Sequence, residues 1–255
     1  MICRYYKITT LLFLLANIGS VFSQKRNKFS GSSGRVSINF QNVVNNKPLV
    51  LNDSTYINPF GESYTVKKFR YYISNIRLNS DKCSVKELNS YHLADEAKPA
   101  SRMMTYLVKP GEYSSITFMV GVDSLHNVSG AQTGALDPLK DMFWTWNTGY
   151  VMAKFEGNSP VSTLQNKIFE YHIGGYKGIN KVLQTLTLKF PEHEKLLVNN
   201  KHPLNLIILS DLNEWWKGAM DIKITNVPSI TTPGNLAKRA SENYAKMFRV
   251  QKISN

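Results

Sequence analysis

Apolar residues fall at every second position in one short segment of this chain after another, and turn-forming residues separate the segments. Val36, Ile38 and Phe40 alternate in the first; Phe69, Tyr71 and Ile73 in the longest, residues 64–78; Ile116, Phe118 and Val120 in residues 114–120. A period of two places successive side chains on opposite faces, so each segment reads as a strand with one face buried. Further strands are expected at 91–93, 104–108, 168–173 and 184–190, with an edge-like one at 221–224. The run LNLIIL beginning at Leu204 is apolar on both faces and belongs at a sheet centre. Ser74 and Asn75 predict a bend in the longest strand, and Pro110–Gly111 a turn. No helix alternates with these strands, so the fold class is mostly β, an antiparallel β-sandwich. Asp211, three residues before Glu214, predicts a capping box opening a short helical turn that holds Trp215 and Trp216. Leu236, Ala240, Tyr244 and Met247 or Phe248 recur at helical spacing, predicting one C-terminal amphipathic helix over 235–250.

The ends of the chain bound the rest. Arg4 and Lys7, an apolar run over 8–18 and small residues up to Ser23 read as a secretory signal peptide, residues 1–23. Removing it from 255 residues leaves 232, enough for one domain, and lowers the formal charge from +13 to +11. Residues 24–34 are basic and rich in Ser and Gly and read as a flexible linker, so the domain is 35–255. The lysines are scattered, and export argues against a nucleic-acid partner. No later run is apolar for long enough to form a transmembrane segment. Cys83 alone survives cleavage, so there is no internal disulfide; it sits in a polar turn without visible partners for thiolate chemistry.

Chemistry-bearing residues concentrate between Gly121 and Gly157, a strand, a long loop and a second strand. Trp144 and Trp146 point to one side of the strand 143–155, while Phe143, Val151, Ala153 and Phe155 take the other. Either the register shifts at residues 147–149, or the tryptophans line a pocket apart from the main core; tryptophans so placed are more often packing residues. His126 lies in the loop and His172 in a later strand, in FEYHIGG. Imidazole suits copper, zinc or iron, and two such residues can converge across a sheet, although HxxxH and HExxH patterns are missing. His92, His193 and His202 sit in polar segments expected to be exposed. GxSxG and phosphate-binding glycine motifs are absent, and no carboxylate pair stands out, so the chain is read as not itself an enzyme.

The segments YYISNIRL at 71–78, GVDSLHNVSGAQTGALDP at 121–138, MFWTWNTGY at 142–150, FEGNSP at 155–160 and YHIGG at 171–175 resemble the MbnP-like family, named for the copper protein of the methanobactin operons. MFWxWxxGY is the most specific of them. The resemblance implies a periplasmic β-sandwich that binds one copper ion as Cu(I). It implies that His126 and His172 are ligands, joined by kynurenine made from Trp144 or Trp146 by a di-haem partner resembling bacterial cytochrome c peroxidase. The implied role is copper trafficking or storage. Two features depart from methanotroph-type members: the loop histidine precedes Asn127, and IGGYKG follows the second histidine where a cysteine-ended segment is expected. Met103, Met104, Met119, Met142 and Met152 are further candidate donors or core filler. From the residues alone, the alternative is a β-sandwich module binding a carbohydrate or other planar ligand on the Trp144/Trp146 face.

Overall fold

A computed structural model describes residues 33–80, 84–86, 90–130, 132–144 and 149–254. The signal peptide, most of the linker, Cys83 and Trp146 lie outside the described residues. In chain order the strands are Gly34–Val44 (β1), Lys47–Pro48 (β2), Thr55–Ile57 (β3), Ser63–Asn79 (β4), Ser84–Lys86 (β5), Tyr91–Asp95 (β6), Met103–Val108 (β7), Gly111–Tyr113 (β8), Ser115–Val120 (β9), Phe143–Trp144 (β10), Gly149–Asn158 (β11), Ile168–Gly174 (β12), Gln184–Lys189 (β13), Leu196–Val198 (β14), Leu204–Asp211 (β15), Ser229–Ile230 (β16) and Phe248–Ser254 (β17). The α-helices are Ser124–Val128 (α1), Asn213–Trp216 (α2) and Asn235–Tyr244 (α3). None of the described helices is long and apolar enough to cross a membrane.

β4 carries the larger sheet, whose main path runs β13-β9-β4-β11-β12-β16. β11 pairs with β4 over Thr65–Tyr71 and β9 over Ile73–Asn79. Its register against β11 slips at Lys67, so that Tyr64, Val66, Phe69 and Tyr71 all face the core while Lys68 and Arg70 turn outward. The second irregularity is the bend read from Ser74 and Asn75: the register against β9 shifts between Ser74 and Arg77, and Asn75 takes φ 53°. Asparagine tolerates that left-handed conformation better than most residues.

The smaller sheet has the path β17-β15-β1-β2, with β7 also on β1. Its Phe40 and Phe248 meet Phe118 and Tyr71 of the larger sheet, with ring centroids 5.3–6.5 Å apart across the sandwich. The Tyr71 hydroxyl donates to Asn42 Oδ1 at 2.8 Å, satisfying a buried polar pair between sheets. Trp215 and Trp216, both fully buried, pack on Phe155, Phe169 and Tyr171 and close one end of the core.

The sandwich is mostly β as expected, and it differs from the sequence reading locally. β1 pairs with β15, and β12 with β16, in parallel. The C-terminal helix stops at Tyr244; after one 3-10 turn the chain returns as β17, antiparallel to β15. Residues 221–224 form no strand, yet Ile222 and Ile224 are fully buried. Asp211 bonds the Asn213 N–H at 3.2 Å, but Leu212 is the N-cap, so there is no capping box.

Glu62 explains how the irregular segment 221–226 is held. Its carboxylate accepts from the N–H groups of Ile224 (2.7 Å) and Thr225 (3.0 Å), the Thr225 hydroxyl (2.7 Å) and Asn58 Nδ2 (2.7 Å). Burial by itself would raise the Glu62 pKa, but these donors outweigh it and hold the group below the ordinary carboxylate range. Asp141 is displaced the same way, burial being outweighed by Lys154 and Lys68. A depressed carboxylate contributes stability above its unfolded pKa and loses it as pH falls through the folded value. The melting temperature is therefore expected to hold above about pH 5 and to fall steadily below about pH 4. Glu62→Gln should flatten that fall, and an acid limb unchanged by this substitution would remove Glu62 from the account.

Candidate functional site

The loop leaves the sheet where β9 and β11 part along the edge of β4. Gly121 turns the chain at φ 128°, its N–H bonded to Tyr72 O at 3.0 Å. Asp123 then caps α1, its Oδ1 accepting the His126 N–H at 3.0 Å. The same Oδ1 lies 2.9 Å from His126 Nδ1, and the Tyr91 hydroxyl, from β6, donates to Oδ2. Tyr91 Oη is also 2.7 Å from His126 Nδ1, with the rings 4.3 Å apart. Burial would raise the Asp123 pKa, but Tyr91 and His126 together hold it low; burial and the neighbouring carboxylate push the Tyr91 hydroxyl up. Asn127, buried, accepts the Tyr150 N–H at 2.9 Å and donates to Val122 O, fastening α1 to the start of β11.

His172 stands on the outer face of β12, opposite Lys154 of β11. Its Nε2 meets Glu156 Oε1 at 2.8 Å, and Glu156 Oε2 lies 3.2 Å from Lys68 Nζ. Lys68 and Lys154 both reach Asp141, at 3.0 and 2.9 Å. Burial would raise the Glu156 pKa; the bond from His172 and the charge on Lys68 reverse that and hold it low. Lys68 faces Glu156 directly in the unbroken part of the β4–β11 ladder.

Trp144 joins the two regions. It pairs with Gly149 in the β10–β11 ladder, and its indole lies on Gly174, where a Cβ would fall 2.3 Å from Cζ3. Gly174 is two residues beyond His172 and its missing side chain would point to the same face, so only glycine lets the indole lie there. Trp144 is 7% exposed and offers no open face for stacking a ligand. The segment 143–155, read as one strand, is a hairpin: β10 runs antiparallel to the start of β11, so Trp144 and Val151 lie on different strands. The register shift considered at 147–149 falls mostly on residues 145–148, which lie outside the described residues; a separate irregularity against β12 lies between Val151 and Ala153. Met104, Met119, Met142 and Met152 are buried, Met152 Sδ accepting the Val122 N–H at 3.2 Å, and Met103 is exposed. His92 is half-buried on β6 with its Nε2 3.0 Å from the Tyr106 hydroxyl, contrary to the expected exposure, whereas His193 and His202 are exposed.

No hydrogen bond or ring contact joins His126 to His172 among the described residues, and no three His, Cys, Asp or Glu side chains there gather as a metal cage. The donor chemistry nevertheless fits copper. Each imidazole has one nitrogen held by a carboxylate and the other turned away, the arrangement that fixes histidine as a metal donor. Sequence reading had found both histidines and Trp144, and missed Tyr91, Glu156 and Lys68. The spacing of Asp123, three residues before His126, is the signal for a cap that also reaches the ring.

No curated protein matches the chain. Among solved structures, MbnP from Methylosinus trichosporium is similar at 14% identity over 69% of this chain and 76% of that one, with a TM-score of 0.47. The family model described as MbnP matches residues 33–232, which take in every strand but the last and all four candidate site residues. This chain belongs to the MbnP family.

Proposed function

We propose that the protein is an exported, periplasmic copper-binding protein, not itself a catalyst. It holds Cu(I) through His126, His172 and a kynurenine derived from Trp144 or Trp146, as cargo for trafficking or storage. The observation that carries the reading is the matched support of the two imidazoles, each tied on one nitrogen to a carboxylate, in a chain of this family. Cu(I) accepts few, polarisable ligands and is content with imidazole. Kynurenine would add an aromatic amine and a ketone that indole lacks. Its formation needs an external oxidant, for which the di-haem peroxidase-type partner is the proposed source. In this reading the chain's own work is to hold: Gly174 admits the Trp144 ring, Asn127 fastens α1 to β11, and the two carboxylates orient the imidazoles.

The test uses protein purified from the native periplasm, with metal content by elemental mass spectrometry and peptide mapping of the segment that holds Trp144 and Trp146. Near-stoichiometric copper with a kynurenine mass shift on one tryptophan is expected. Intact tryptophans and no bound metal would sink the reading.

A further inference from the structure

The two histidines are gripped by different nitrogens. His126 meets its carboxylate through Nδ1, at 2.9 Å from Asp123 Oδ1, and His172 through Nε2, at 2.8 Å from Glu156 Oε1. An ionised carboxylate only accepts hydrogen bonds, so the ring nitrogen facing it must carry the proton. We infer that Asp123 and Glu156 lock His126 and His172 into opposite tautomers, leaving Nε2 as the donor nitrogen of His126 and Nδ1 as that of His172. What those nitrogens are for rests on the copper reading; the tautomers themselves do not.

Both carboxylates are braced against turning. Asp123 Oδ1 also takes the His126 backbone N–H at 3.0 Å, and Oδ2 takes the Tyr91 hydroxyl. The Tyr91 ring lies 4.3 Å from the imidazole, its hydroxyl 2.7 Å from Nδ1, so a half-turn of His126 would lose the Nδ1 contacts to Tyr91 and Asp123 together. Glu156 is anchored on its second oxygen by Lys68, which is itself held by Asp141. Tyr91, Asp123, Glu156 and Lys68 are thus positioning residues, and the two donors differ in reach. Nδ1 lies next to the side chain's own Cγ, so the His172 donor sits close to the strand, while Nε2 of His126 is at the ring's far end.

The experiment is long-range proton–nitrogen correlation NMR on the metal-free protein at about pH 8.5, above the ordinary imidazole range. His126 is expected to show a protonated Nδ1 and His172 a protonated Nε2. Free histidine favours the Nε2–H form, so His126 is the diagnostic residue. Two Nε2–H signatures would overturn the assignment, and the wild-type spectrum suffices for this if a variant fails to fold. Asp123→Ala should send His126 to the Nε2–H form, while Asp123→Asn, which keeps an accepting oxygen, should retain Nδ1–H. The His172 signals should stay in place in both. Asp123→Ala and Glu156→Ala should each weaken Cu(I) binding by about 10–100-fold, the usual cost of removing a ligand's hydrogen-bond partner. Opposite tautomers in a wild-type protein that binds no copper would keep the assignment and overturn the copper reading. Like tautomers in a protein that does bind copper would do the reverse.

Discussion

Phe155→Ala is expected to lower the free energy of unfolding by about 3–5 kcal/mol, the range for removing a buried aromatic ring. The ring is fully buried at the middle of β11 and meets aromatic rings from three other elements. Phe69 and Tyr64 of β4 lie 5.7 and 6.2 Å away, Phe169 and Tyr171 of β12 5.1 and 6.1 Å, and Trp215 and Trp216 of α2 both 5.3 Å. Most of these pairs are edge-to-face, a geometry that adds to plain area burial. The neighbours are large rings fixed by their own contacts, so they cannot collapse into the space that alanine leaves, and the cavity cost stays high. With total stabilities of about 5–15 kcal/mol, such a loss is a large fraction of the whole. Denaturant unfolding followed by tryptophan fluorescence measures it, since Trp215 and Trp216 report on this cluster. A loss below about 1 kcal/mol would mean that the cluster relaxes and is no rigid hub.

This hub was only half visible in the sequence. Alternation identified β4, β9 and β13 because each buries one face, and the Ser74–Asn75 bend was legible because those residue types suit a break in a strand. What alternation could not show was partnership. The parallel register of β1 on β15 joins residues some 170 positions apart, and nothing local specifies it. The C-terminal helix overran for a related reason. Leu236, Ala240 and Tyr244 mark a true helix, and Phe248 continues that spacing by coincidence, with no Gly or Pro between to signal the stop. Yet Phe248 and Val250 also fit a period of two, and the open edge of β15 settles the matter. Residues 221–224 went wrong in the opposite direction. Ile222 and Ile224 alternate like a strand, but their backbone is satisfied without a ladder, the Ile222 N–H by Trp216 O and the Ile224 N–H by Glu62.

The candidate site divides in the same way. His126, His172 and Trp144 were nameable because histidine and tryptophan are rare and chemically distinctive. Their supports were not, because Tyr91, Glu156 and Lys68 are ordinary strand residues whose importance comes from facing across strands: Lys68 of β4 stands directly opposite Glu156 of β11, a pairing that no local pattern specifies. Gly174 is a seat for the Trp144 indole, a role that no local pattern announces.

Against that background His172→Ala separates site from scaffold. The side chain lies on the outer face of β12, and the only hydrogen bond it makes among the described residues is to Glu156, which keeps Lys68 at 3.2 Å when the imidazole is gone. Little apolar area is lost and no buried donor is orphaned, so the change in stability should stay within the roughly 0.5 kcal/mol typical of surface substitutions. Copper is the other matter. Removing a supporting partner of a ligand costs about 10–100-fold in affinity, and removing the ligand itself should exceed that, because Cu(I) has few donors and water is a poor replacement for imidazole. Stoichiometric Cu(I) binding is therefore expected to vanish in titrations against a competing chelator, with an unchanged melting curve. Full affinity in the variant would take His172 out of the site. A collapse of both binding and folding would instead make His172 part of the scaffold and leave its role at copper to the Glu156→Ala titration.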